Sequence, residues 1–335
     1  MTTTDMTWAV QARGLVKTFG ENRAVDGIDL NIRTGAVYGV LGPNGAGKTT
    51  TIRMLATLLP MDAGSATVFG RDVRTEPQAV RRLIGVTGQY ASVDEGLSAT
   101  ENLVLFARLH GLSRRDSQRI SAALLDEFGL AEAAARPLKN FSGGMRRRLD
   151  LAASLIARPP LIFLDEPTTG LDPRTRLQMW DTVRRLVDGG STVLLTTQYL
   201  DEADQLAERI AVIDRGVVVA EGTGAELKSS VGTARLQLGL ADEADLPEAI
   251  RLSTQVLGVA PVLGPDGRLT APVPAADSAG EVLVALRSAG IHLTDVAVQQ
   301  PTLDEVFLTL TGRPASADTT GPDDAEAPHP QEVLA

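Results

Sequence analysis

Three short, almost wholly apolar runs punctuate the first two-thirds of the chain: Ala36-Val-Tyr-Gly-Val-Leu41, residues 161 to 164 and residues 193 to 196. Runs of this length read as strands buried on both faces, and the stretches between them carry helical spacing, as in Thr50 to Leu59 and Met145 to Ile156. That alternation predicts an α/β core on a mostly parallel sheet. Ahead of the second run the pattern becomes helical. Ser98-Ala-Thr-Glu101 has capping-box spacing before Asn102 to Leu109, and Arg114 to Phe128 reads as another helix. Beyond Gly232 weaker signals follow: strand at Ala234 to Leu240, helix at Leu246 to Leu257, strand at Arg268 to Val273, helix at Glu281 to Ser288 and strand at His292 to Val298. A last helix is expected with Thr302 as N-cap and Glu305 three residues on. Its apolar stripe of Leu303, Val306, Phe307 and Leu310 must be covered by its own domain, a second copy or a membrane partner.

These breaks divide the chain into a larger unit over 1–228, with a helical subdomain at about 90–158, and a small α+β unit over 229–312. Two units suit a chain of 335 residues at about 150 residues per domain. Residues 313–335 turn to Pro, Ala, Asp, Glu and Thr, an acidic, Pro-rich tail expected to be disordered.

The ends of the apolar runs carry chemistry. After the first comes Gly42-Pro-Asn-Gly-Ala-Gly-Lys-Thr49, in which Gly42, Gly45 and Gly47 allow a tight turn that aims backbone N–H groups at phosphate. A helix follows at once, so an anion would sit at a helix N-terminus. Lys48 would reach the terminal phosphates, and the Thr49 hydroxyl would hold magnesium. The second run delivers Asp165 to the metal, with Glu166 one residue later placed to take a proton from water. Gln89, after Ile84-Gly-Val-Thr-Gly88, could sense magnesium and the attacking water. Together these predict ATP hydrolysis with Mg²⁺.

Charge and composition narrow the setting. The net charge is −10, which disfavours a nucleic-acid partner. Cysteine is absent, so no disulfide framework exists. Met1 to Val10 lacks the basic start and apolar stretch of a secretory signal, and no apolar run approaches the ~20 residues that span a bilayer. A membrane role would come through a partner.

With these motifs in order, the chain resembles an ATP-binding cassette (ABC) transporter ATPase over about residues 10 to 228. Gly42 to Thr49 matches that family's Walker A motif, so Gly42, Pro43, Asn44, Gly45, Ala46, Gly47, Lys48, Thr49 and Thr50 would line the nucleotide. Leu161 to Asp165 matches Walker B, and Glu166 matches the catalytic carboxylate. Ser142-Gly143-Gly144 matches the signature motif, and Gly170-Leu-Asp172 the D-loop. Phe19 stands where family members stack an aromatic ring on adenine, though core packing would also suit it. The resemblance implies a P-loop core and head-to-tail homodimers with each ATP between one subunit's Walker motifs and the other's signature loop. It also implies an integral-membrane ABC permease docked near residues 89 to 110, and so a peripheral place on the cytoplasmic membrane face.

Two positions depart from the family pattern. Met145 replaces a glutamine of the signature, and Gln198 stands at the switch histidine. An amide can donate to a γ-phosphate but cannot relay a proton. Gln198, the Arg146-Arg147-Arg148 run and Leu303-Asp-Glu-Val-Phe-Leu308 together are similar to the daunorubicin-resistance type of ATP-binding subunit, which powers two-component drug exporters. An exporter of lipid or another non-drug substrate, or a soluble ABC ATPase, is the alternative. The arginine run itself also reads as a solvated helix face.

Overall fold

The computed structural model describes residues 7–88, 93–273 and 276–312. Gln89 and the tail 313–335 lie outside them. The larger unit opens with β1 (Trp8–Phe19) and β2 (Asn22–Arg33), followed by β3 (Val37–Leu41), α1 (Lys48–Leu55), β4 (Ala63–Val68), β5 (Arg71–Asp72), α2 (Pro77–Arg81) and β6 (Ile84–Thr87). A helical stretch of α3 (Ala99–Leu109), α4 (Arg114–Glu127) and α5 (Gly143–Ser154) comes next. The unit closes with β7 (Leu161–Asp165), α6 (Pro173–Asp188), β8 (Thr192–Thr197), α7 (Leu200–Leu206), β9 (Arg209–Asp214), β10 (Val217–Gly222) and α8 (Gly224–Val231).

The three apolar runs become β3, β7 and β8 at the centre of a six-stranded sheet of order β10-β9-β3-β8-β7-β6, parallel except for β10. Every residue of these three strands is buried, as continuous apolar runs demand when both sheet faces are covered. Along β7 the faces alternate. Ile162 and Leu164 join the core beneath the helices, and Leu161 and Phe163 join the core on the other side. That second core is roofed by an antiparallel sheet, β2-β1-β4-β5, which the periodicity did not predict. Register shifts at four points between β1 and β2 break the simple alternation that would mark such strands. The predicted capping box forms at α3: Ser98 Oγ accepts from Glu101 N–H at 3.2 Å, and Ser98 N–H donates to Glu101 Oε2 at 2.8 Å.

The C-terminal unit is an antiparallel sheet of β11 (Ala234–Leu240), β12 (Val262–Leu263), β13 (Leu269–Val273) and β14 (Leu293–Gln299), in the order β12-β13-β11-β14. Helices α9 (Leu246–Leu257) and α10 (Ala276–Ser288) share its core. The last helix, α11 (Leu303–Thr311), does not join that core. Thr302 caps it as expected, accepting from Glu305 N–H at 3.2 Å, while the Glu305 carboxylate pairs with Arg235 of β11 at 3.1 Å. Leu303, Val306 and Phe307 pack against Leu41, Leu200, Ala203, Ile210, Val212 and Leu227 of the larger unit. The stripe is therefore covered within its own chain, although Leu310 remains exposed. Burying each of those three side chains contributes ~1.5–3 kcal/mol. Among the described residues no helix is long and apolar enough to cross a membrane.

Candidate active site

The site grows from the carboxyl ends of β3, β7 and β8. Leu41 at the end of β3 pairs with Thr197 at the end of β8, and the Gly42 N–H donates to the Thr197 carbonyl at 3.2 Å. The loop that follows is held tightly enough to exclude side chains at two points. A Cβ on Gly42 would lie 2.2 Å from the Ile213 carbonyl oxygen. One on Gly47, whose φ is +104°, would lie 2.4 Å from that of Ala24. The loop feeds directly into α1, whose first turn holds no acidic residue, so its N-terminal amides stay available to an anion.

Lys48 is folded back inside this loop. Its Nζ donates to the carbonyls of Gly42 at 2.7 Å and Pro43 at 3.0 Å and pairs with Glu166 Oε1 at 3.2 Å. Burial pushes the ammonium below the ordinary lysine range, and Glu166 and Asp165 partly offset that push. Negative phosphate oxygens placed here would satisfy a charge the protein has largely stripped of water.

The two carboxylates at the end of β7 differ in surroundings. Asp165 Oδ1 accepts from the Thr49 hydroxyl at 3.0 Å and from the Thr196 hydroxyl at 2.6 Å. Glu166 is one of the few non-glycine residues with positive φ, at 49°. Its N–H donates to both the carbonyl and the hydroxyl of Thr196, each at 3.1 Å, and its Oε2 accepts from the Thr169 hydroxyl at 3.3 Å. Such a conformation costs on the order of 1–3 kcal/mol and persists where its surroundings over-determine it.

Above these groups opens a cavity of about 430 Å³ lined by Phe19, Asn22, Ala24, the loop residues Asn44 to Thr50 and Glu166. Phe19 is 48% exposed at its edge, which removes the core-packing reading, and Lys17 Nζ lies 5.6 Å from its ring centroid. An aromatic face beside a phosphate loop can take a planar base at one end and phosphates at the other.

The family model described as "ABC transporter" matches residues 25–169, and that described as "ATP-binding protein DrrA1-3-like, C-terminal domain" matches residues 222–311. The daunorubicin/doxorubicin resistance ATP-binding protein DrrA of Streptomyces peucetius is 57% identical over 318 residues, covering 95% of this chain and 96% of that protein. The Nod factor export ATP-binding protein I of Rhizobium sp. (strain N33) is 37% identical over 307 residues, covering 91% of this chain and 97% of that protein. The chain belongs to the ATP-binding proteins of ABC transporters. Among solved structures, a dimeric post-hydrolysis state of an ATP-binding cassette bound to ADP and Pi superposes with a TM-score of 0.59 at 26% identity. The likeness covers 64% of this chain and 98% of that one.

The cassette does not gather all its sequence-predicted residues into one place. Ser142, with Gly143 and Gly144 after it, opens α5 and accepts from Met145 N–H at 3.3 Å. Asp172 caps α6, accepting from Thr175 N–H at 3.0 Å. None of these four lines the cavity, and neither does Gln198, half-buried one residue past β8. Thr196 and Thr169 hold the two carboxylates and escaped the sequence reading, because a threonine at a strand end or in a turn has no distinctive pattern.

Glu202 escaped it too. On α7, four residues past Gln198, it is fully buried and accepts from Trp180 Nε1 at 3.2 Å. Burial holds its carboxyl above the ordinary range despite the nearby Thr197, Thr168 and Trp180 side chains. The folded cassette thus grips this proton more tightly than the unfolded chain, so the group's contribution to stability falls as pH rises from the ordinary 4.5 through the raised native value. Glu202→Gln cannot titrate and keeps an acceptor for Trp180. Its melting temperature relative to wild type should climb by a few degrees between pH 4 and pH 8. A difference that stays constant across that range in thermal melts would show that Glu202 does not ionise on unfolding.

Proposed function

We propose that the cassette is the motor of an exporter, with ATP binding closing a head-to-tail dimer and hydrolysis reopening it around a separate integral-membrane permease. The observation that carries this is the separation of the half-sites. The cavity with Lys48 and Glu166, and Asp165 bonded to its lining residue Thr49, lies in one place, and the Ser142 cap with two glycines after it at the start of α5 lies outside it. A helix N-terminus with no acid in its first turn suits an anion, and a second copy can bring one to it. In this reading Asn44 to Thr50 cradle the phosphates, Phe19 stacks on adenine, and Gln198 donates its amide to the γ-phosphate. Asp172 lies at the dimer seam, and Gln89 completes the metal and water shell. Glu166 is the general base and Lys48 the electrostatic clamp.

The oxygen donors present fit magnesium. Thr49 Oγ1 and Asp165 Oδ1, hydrogen-bonded at 3.0 Å, are hard oxygen donors of the kind this ion takes. Thr49 and Asp165 would hold the ion, which when bound neutralises charge on the β- and γ-phosphates. The exported molecule is, on the likeness to the daunorubicin/doxorubicin relative, a drug or similar hydrophobic small molecule, and the permease holds the cassette at the cytoplasmic face of the membrane. The Nod factor relative, named for a cargo other than a drug, favours a second reading, export of a lipid or another non-drug molecule.

Mixing Ser142→Arg chains with Lys48→Ala chains tests the shared site. Each variant alone has no intact site, while their heterodimer has one, so a substantial part of wild-type phosphate release should return on mixing. No recovery, with both variants folded, would sink the shared-site dimer. In cells carrying the cassette with its permease, unchanged anthracycline susceptibility alongside ATP-dependent lipid efflux would select the second reading.

A further inference from the structure

Arginine runs on helices usually face water, and Arg146 and Arg148 behave as local braces: one pairs with Glu95, the other donates to the Phe128 carbonyl at 3.0 Å. Arg147 between them does something different. All three of its side-chain nitrogens are engaged, and every acceptor among the described residues is a main-chain carbonyl. Nε donates to Pro167 at 3.2 Å, Nη2 to Asp165 at 2.7 Å and to Glu166 at 3.0 Å, and Nη1 to Gly88 just past β6. A planar guanidinium can span such a fork, whereas an ammonium, with three donors on one atom, cannot reach four dispersed carbonyls.

The acceptors sit at telling places. Three consecutive carbonyls, 165 to 167, bracket the peptide whose left-handed turn aims the Glu166 side chain at the cavity. The fourth ends the neighbouring strand, so one side chain of the signature helix staples two strand ends in register. The Thr196 contacts hold the Glu166 N–H from the opposite side. Without Arg147 the carbonyl side of that strained peptide loses its anchor.

We propose that Arg147 is a positioning residue for hydrolysis: it acts through Glu166, fixing the carboxylate's approach to the cavity from the first turns of α5. This rests on the reading of Glu166 as the base. Arg147 does not touch the phosphate loop, and of the cavity lining it reaches only the main-chain carbonyl of Glu166, so nucleotide binding should be nearly indifferent to it.

The test is a double-mutant cycle on the full chain. Arg147→Met, similar in length without the donors, should lower kcat by ~10- to 100-fold, since misplacing a reacting group by about 1 Å costs that much. Binding of a non-hydrolysable ATP analogue should stay within about threefold. Arg147→Lys should fall in between, and Arg148→Met, which loses one part-buried carbonyl contact on the same helix, should stay near wild type. In the Glu166→Gln background, adding Arg147→Met should cost less than twofold further, because a residue acting through Glu166 has nothing left to position. A multiplicative loss there, or a parallel loss of analogue binding, would make Arg147 a general brace and overturn the proposal. Should Arg147→Met fail to fold, Arg147→Lys carries the same cycle. If Glu166→Gln alone kept near-normal turnover, the base assignment would fail, whatever Arg147→Met did to kcat.

Discussion

Glu166→Gln should reduce ATP turnover by ~10²- to 10⁴-fold, the usual worth of a general base, while leaving nucleotide binding intact or tighter. The amide is nearly isosteric and can still accept from the Thr169 hydroxyl, which lies 3.3 Å from Oε2. It cannot take a proton from water. The substitution also removes the negative charge 3.2 Å from Lys48 Nζ, freeing an ammonium that burial has already made eager for anionic company. ATP should therefore drive the variant into a stable dimer that size-exclusion chromatography resolves. Steady-state phosphate release paired with equilibrium nucleotide binding separates the two effects. Turnover within a few-fold of wild type would remove Glu166 from the role of base.

Truncation at Thr302 should destabilise the cassette itself, beyond any effect on the C-terminal unit. Phe307 is 2% exposed and packs with Leu303 and Val306 on Leu41, Leu200 and Leu227. Leu41 leads straight into the phosphate loop, and Leu200 lies two residues past Gln198. Phe307→Ala alone should cost ~3–5 kcal/mol from lost burial and the cavity left behind. The full truncation should cost more and expose an apolar patch that promotes aggregation. Removing only residues 315–335, whose sequence holds few large apolar side chains, should leave the melting temperature unchanged. Thermal melts of the three variants decide it. A truncated chain that melts like wild type would show that the α11 contact contributes nothing to cassette stability.

The local features were the legible ones. Glycine spacing in residues 42 to 49, the buried runs of β3, β7 and β8 and the caps at Ser98 and Thr302 each depend on residues close in sequence, so pattern alone recovers them. The antiparallel roof of β1, β2 and β4 was not legible, because its bulges scramble the alternation that marks a strand. Arg147 was hidden for another reason. Its acceptors lie 18 to 59 positions away and are backbone atoms, which leave no trace in residue identity. The amphipathic stripe of α11 showed that something must cover it. Only the fold shows that the cover is the larger unit, reached across about 70 intervening residues.

That return has a consequence for how the protein is made. A ribosome releases the strands that lead into the phosphate loop, Asp165 and Gln198 long before it reaches Phe307, yet the apolar cluster of Leu41, Leu200 and Leu227 beside them is completed only when Phe307 arrives. That face of the N-terminal unit is thus covered only once the chain has been extended past residue 307. A chain that stops short of α11 carries the nucleotide motifs but leaves that apolar face uncovered. The position of α11 ties the stability of the nucleotide-binding unit to synthesis of the C-terminal unit.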